Sequence, residues 1–156
     1  MIISGPNTGG KTVSLKTLGL LALMNQSGLQ VTANAESILP IFNKFFVHIG
    51  DDQNIISSQS SFSSHISSII NTVNQSTKNS LILIDEIVSS TDPDEGMAIA
   101  CAILFYLNKL NCTTLITTHI RGIIEYGLRS EWCENYGVSF DEQKNIPTYS
   151  LSLIHI

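Results

Sequence analysis

Apolar residues follow two rhythms along this chain. Met1–Ser4 is the tail of a short apolar strand and runs into the glycine-rich Gly5–Gly10. From 12 to 24, Val13, Leu15, Leu18, Leu20, Leu21, Leu23 and Met24 leave few polar faces, predicting a helix packed under a sheet. Asn25-Gln26-Ser27-Gly28 ends it, with Gly28 suited to the position just past a helix. Phe45-Phe46-Val47-His48-Ile49 reads as a strand, closed by Gly50-Asp51-Asp52. The serine tract 57–64 reads as a flexible loop. Helical spacing follows from about 62 to 75 through Phe62, Ile66, Ile69, Ile70 and Val73. The unbroken run Leu81-Ile82-Leu83-Ile84 predicts a central parallel strand, buried on both faces.

Asp92-Pro93-Asp94-Glu95 supplies a capping side chain, a proline at the first helical position and an acidic first turn, so a helix is expected to about 107. A strand at 113–117, a short helix at 120–128 and a closing hairpin from 136–140 and 148–151 complete the pattern. Alternation of strand and helix predicts an α/β fold with a mostly parallel sheet and helices on both faces. No internal repeat is visible.

Composition narrows the class. The 156 residues are 43% hydrophobic and 13% charged, enough for one buried core and unlike a disordered chain. No apolar run reaches the roughly 20 residues of a bilayer span, and the start lacks a leader's basic region, so a cytoplasmic, non-membrane protein is expected. A formal charge of −5 does not favour a polyanion, which puts any nucleic-acid contact outside these residues. Cys101, Cys112 and Cys133 follow no metal or disulfide spacing.

The chemistry concentrates in three segments. Gly5-Pro6-Asn7-Thr8-Gly9-Gly10-Lys11-Thr12 fits the phosphate-loop pattern, a glycine at the first position and Gly-Lys-Thr at the last three. Glycines let main-chain N–H groups converge on phosphate oxygens, and the following helix adds the positive end of its dipole. Lys11 is expected to reach the β- and γ-phosphates of ATP, and the Thr12 hydroxyl to ligate Mg²⁺. Asp85 and Glu86 end the buried strand, at the edge where ligands bind in open α/β sheets. Asp85 is expected to hold Mg²⁺, directly or through water; Glu86 to orient or deprotonate the attacking water. His119, after Thr117-Thr118 at the next strand end, is placed to contact the γ-phosphate or hold that water. His48, His65 and His155 carry no such positional argument.

Together, Gly5–Thr12, Asp85-Glu86 and Thr117-Thr118-His119 resemble the ATPase domain (domain V) of the MutS family. The segments Gly9-Gly10-Lys11-Thr12-Val13, Met24-Asn25-Gln26-Ser27-Gly28-Leu29, Ile49-Gly50-Asp51-Asp52-Gln53, Phe62-Ser63-Ser64-His65 and Thr91-Asp92-Pro93-x-Glu95-Gly96 are most similar to its anti-recombination and endonuclease branch, linked to DNA or ribosome surveillance. The resemblance implies a P-loop NTPase fold of ABC type, three layers α/β/α. It further implies a homodimer sandwiching two ATP molecules, in which Ser60 meets the nucleotide of the other subunit. Asp52 or Gln53 matches the loop that couples the site to neighbouring domains, and Thr91-Asp92 a loop that packs across the dimer. Val88-Ser89-Ser90 departs from the family's glycine-rich stretch.

The expected function is therefore Mg²⁺-dependent ATP hydrolysis driving a MutS-like DNA-binding protein of repair, mismatch surveillance or recombination suppression. A nuclease domain would lie elsewhere in the parent. Two alternatives remain: the ATPase of another ABC-type machine, or a nucleotide-gated binding module without turnover. The first would carry a Leu-Ser-Gly-Gly-Gln-like signature, absent from this sequence. Residues 1–151 are expected to be an N-terminally truncated ATPase domain. Residues 152–156 are expected to be a non-native tail, because Leu151-Ser152-Leu153-Ile154-His155-Ile156 resembles a translated sequencing adapter.

Overall fold

The structure is a computed structural model that describes residues 1–50, 58–88, 92–141 and 146–154. Its strands are β1 (Ile2–Ser4), β2 (Lys44–His48), β3 (Ser80–Ile84), β4 (Thr113–Thr118), β5 (Asn135–Asp141) and β6 (Ile146–Leu153). Its helices are α1 (Lys11–Gln26), α2 (Ser58–Gln75), α3 (Pro93–Lys109) and α4 (Arg121–Leu128). One sheet holds all six strands in the order β2-β3-β4-β1-β5-β6.

Side chains alternate across a strand, so each strand feeds two cores. Ile2, Ile82, Ile84 and Ile116 face α2, α3 and α4, where Ile69, Ala100, Leu104, Leu107 and Ile123 close over them. Ile3, Leu81, Leu83 and Leu115 face the other way, onto Leu15 and Ala22 of α1 and onto Phe42. This explains why β3 is apolar at nearly every position: all five of its residues are buried.

Local signals set the helix ends. Gly28, at φ 75°, lets its N–H reach Asn25 O and the Leu29 N–H reach Met24 O, a closed carboxyl-terminal cap. The Asp92 side chain accepts the N–H groups of Asp94 (3.0 Å) and Glu95 (3.4 Å), with Pro93 at the start of α3.

Two expectations are corrected. The sheet is mixed: β6 returns antiparallel to β5 and pairs Tyr136 with Leu153 and Val138 with Leu151, because a hairpin reverses the chain where the earlier connections cross over. The molecule is thus a small α/β domain with a mixed sheet and helices on both of its faces, in place of the P-loop NTPase class. The serine tract is no loop from Ser58 onward, since α2 already begins there. The apolar face through Ile66, Ile69 and Val73 packs on the core and carries the polar stretch with it.

Candidate functional site

Three neighbouring strand ends build the site. β3, β4 and β1 lie side by side and parallel, so the residues that follow them emerge at one edge of the sheet. Asp85 and Glu86 follow β3, His119 follows β4, and Gly5–Gly10 follows β1.

The glycine-rich loop begins with Gly5 at φ 133° and passes through a single turn at Asn7–Gly9, in which the Gly9 N–H donates to Pro6 O at 2.9 Å. It enters α1 through Gly10 at φ 91°, in the left-handed region that side chains disfavour. Val138 of β5 presses on this loop from outside. A Cβ on Gly9 would lie 2.4 Å from Val138 Cγ2, and one on Gly5 2.5 Å from it. Tyr149 covers Gly10 from β6, where a Cβ would lie 2.9 Å from its ring. Pro6 and Thr8 are exposed. Gly10 at the N-cap position has no side chain to cap α1, and no acidic residue occupies the helix's first turn. The amino end of a 16-residue helix therefore offers its N–H groups and dipole to an anion.

Lys11 is 2% exposed, yet its ammonium group sits at this mouth, 2.8 Å from Gly5 O and 3.6 Å from Glu86 Oε1. The Asp85 N–H continues the strand ladder to His48 O at 2.8 Å. The Asp85 carboxylate accepts one hydroxyl on each oxygen, Thr12 Oγ1 at 2.6 Å and Thr117 Oγ1 at 2.5 Å. Glu86 has φ 52°, a conformation that costs a non-glycine residue on the order of 1–3 kcal/mol and clusters at functional sites. Its N–H donates to Thr117 Oγ1 at 2.9 Å, and its Oε2 lies 2.8 Å from His119 Nδ1. Both Glu86 and His119 reach solvent, so the pair lies at the surface of the site.

The sheet thus brings the predicted residues Lys11, Thr12, Asp85, Glu86 and His119 together, although 74 positions separate Thr12 from Glu86 in the chain. Ser60 lies in the first turn of α2, with its side chain outside the described residues, as is that of Asn7. Asp52, Gln53, Thr91 and the Ser89-Ser90 departure also fall outside them. Sequence reasoning gave no role to Thr117, Val138 or Tyr149. A usable signal existed for the first, since Thr117 and Thr118 follow the apolar pair Leu115-Ile116 at the buried end of β4, where hydroxyls need polar partners.

Hard oxygen donors, one carboxylate and one hydroxyl, meet at Asp85 and Thr12, a set that suits Mg²⁺ sharing its remaining positions with phosphate and water. Among the described residues no group of three or more His, Cys, Asp or Glu could hold a metal without such help.

The MutS domain V family matches residues 1–154. The chain belongs to that family. It is 51% identical over 151 residues to a protein named Endonuclease MutS2 from Alkaliphilus metalliredigens and 50% identical over 151 residues to one from Alkaliphilus oremlandii; each match covers 97% of this chain and 19% of the relative. An Endonuclease MutS2 from Streptococcus agalactiae is 47% identical over 149 residues, 96% of this chain and 19% of its own length. The MutS domain V chain therefore spans about a fifth of the length of these relatives. Membership in MutS domain V, with the mixed sheet, replaces the ABC-type P-loop NTPase class as its fold assignment. Among the described residues no helix of this MutS domain is long and apolar enough to cross a membrane.

Proposed function

We propose that this MutS domain binds ATP with Mg²⁺ and hydrolyses it on behalf of a DNA-binding protein. The observation carrying this reading is the junction of Lys11 with Glu86 and of Thr12 with Asp85, which joins an anion-binding helix start to two carboxylates. Loop amides and the Lys11 ammonium hold the phosphates and stabilise the charge that builds on them in transfer. Thr12 and Asp85 hold Mg²⁺, which neutralises phosphate charge when bound. Glu86 accepts a proton from the attacking water as its oxygen bonds to the γ-phosphorus and the bridging P–O bond breaks, leaving ADP and phosphate. His119 fixes the other Glu86 oxygen, so the carboxylate keeps its aim when phosphate draws Lys11 away.

Two copies meeting around the nucleotide, with Ser60 of one facing the other's phosphate, complete the proposal. DNA, or alternatively the ribosome, is engaged through parts of the polypeptide beyond this domain, in keeping with its −5 charge. The nuclease activity in the relatives' name is assigned to such a part as well, and a cytoplasmic location fits these tasks.

Phosphate release and nucleotide binding by the full-length protein test the reading. Glu86→Gln keeps ATP binding and loses at least about 100-fold in turnover, while Lys11→Ala loses binding. Tight ATP binding by Lys11→Ala would overturn the site, and undiminished turnover by Glu86→Gln would remove Glu86 from its role. Binding with no turnover in the unaltered protein would instead favour a nucleotide-gated module.

A further inference from the structure

β4 ends with two buried threonines, and each hydroxyl has a separate task. Thr118 Oγ1 accepts the Ile120 N–H at 3.1 Å and shapes the turn into α4. Thr117 is 0% exposed and shares a sheet face with Leu115, which packs toward α1. Its single hydroxyl proton goes to Asp85 Oδ1, and one of its lone pairs takes the Glu86 N–H. One side chain on β4 therefore grips both acidic residues at the end of β3, at the point where the backbone turns into the left-handed conformation of Glu86.

The geometry points to Thr117 as the positioning residue of the ATPase site: it orients the metal-binding carboxylate of Asp85 and sets the backbone turn that aims Glu86. The inference rests on the ATPase reading above. Thr12 serves the loop side of the site: its hydroxyl proton goes to the other Asp85 oxygen, and its oxygen keeps lone pairs for a cation. Thr117 serves the sheet side, holding Asp85 Oδ1 and the Glu86 N–H together. An outer partner of a ligating carboxylate contributes about 10- to 100-fold to metal affinity, and loss of aim in a catalytic group is of similar consequence to rate.

Thr117→Val preserves shape and removes both hydrogen bonds; Thr117→Ser preserves both bonds. Each is made in the full-length protein and measured by calorimetry with ATP in EDTA, with ATP plus Mg²⁺, and by steady-state phosphate release. The valine variant is expected to bind ATP in EDTA as the unaltered protein does, to bind the Mg²⁺ complex about 10-fold more weakly, and to lose about 10- to 100-fold in kcat. The serine variant is expected to restore both. If the valine variant does not fold, Thr117→Ala takes its place under the same expectations. A valine or alanine variant with unaltered Mg²⁺ dependence and kcat would overturn the inference, as would a serine variant as impaired as valine. Absence of ATP binding and hydrolysis in the unaltered protein would overturn the ATPase reading first, and the inference with it.

Discussion

His48 closes β2 half-buried, with Nε2 2.8 Å from Thr72 Oγ1 and its ring edge-on to that of His65, centroids 6.2 Å apart. Burial first, and the neighbouring His65 second, hold its pKa below the ordinary 6.5. The folded protein thus favours neutral His48, while the unfolded chain takes up a proton near 6.5. Stability from this group is fully present above that pH and is lost as pH falls through the lower, folded value. The thermal midpoint of the protein should therefore fall between pH 7.5 and 5, and His48→Gln should make that fall shallower. An equal slope in both proteins would assign the pH dependence elsewhere. At this scale the sequence shows which residues carry charge chemistry, because Lys11, Asp85 and Glu86 stand out beside glycines and a buried strand. Thr117 stays hidden because a strand hydroxyl has many possible partners, and only the β3–β4 register decides which it meets.

Elements carry their own conditions. The Asp92 cap joins a residue to the start of α3, and Asp92→Ala should cost about 1 kcal/mol, read as a lower denaturation midpoint at unchanged slope. The loop is more demanding. Gly9→Ala would drive a methyl against Val138 Cγ2 at 2.4 Å, for a loss of about 1–3 kcal/mol. Because the clash is with a side-chain tip, Val138→Ala in the same chain should recover part of that loss. If the double variant were as unstable as the sum of the two single ones, Val138 would not be the obstacle. Periodicity revealed α1, β3 and α3, whose burial patterns are strong. It could not reveal that α2 starts within a run of serines, since serine carries little helical preference and the packed apolar face decides. The seat of β5 and β6 against the glycine loop was equally illegible, as it depends on contacts about 130 positions apart in sequence, between Gly9 and Val138.

Across the whole molecule, the site is where the sheet's separate crossovers meet. β1, β3 and β4 each contribute a single strand end, and Asp85 ties them through Thr12 on one side and Thr117 on the other. A ligand spanning these ends can bind only the folded chain, because unfolding scatters Lys11, Thr12 and Asp85 over 75 positions. By mass action, MgATP at 100 times its dissociation constant should raise the unfolding free energy by about 2.7 kcal/mol, which for a domain of this size is an increase of roughly 8 °C in thermal midpoint. Lys11→Ala should abolish the increase, Glu86→Gln should retain it, and the shift should be smaller in EDTA by the part that Asp85 and Thr12 supply through the metal. An increase undiminished in Lys11→Ala would mean that nucleotide stabilises the fold from some other place, and the junction of the three strand ends would lose its claim to be the site.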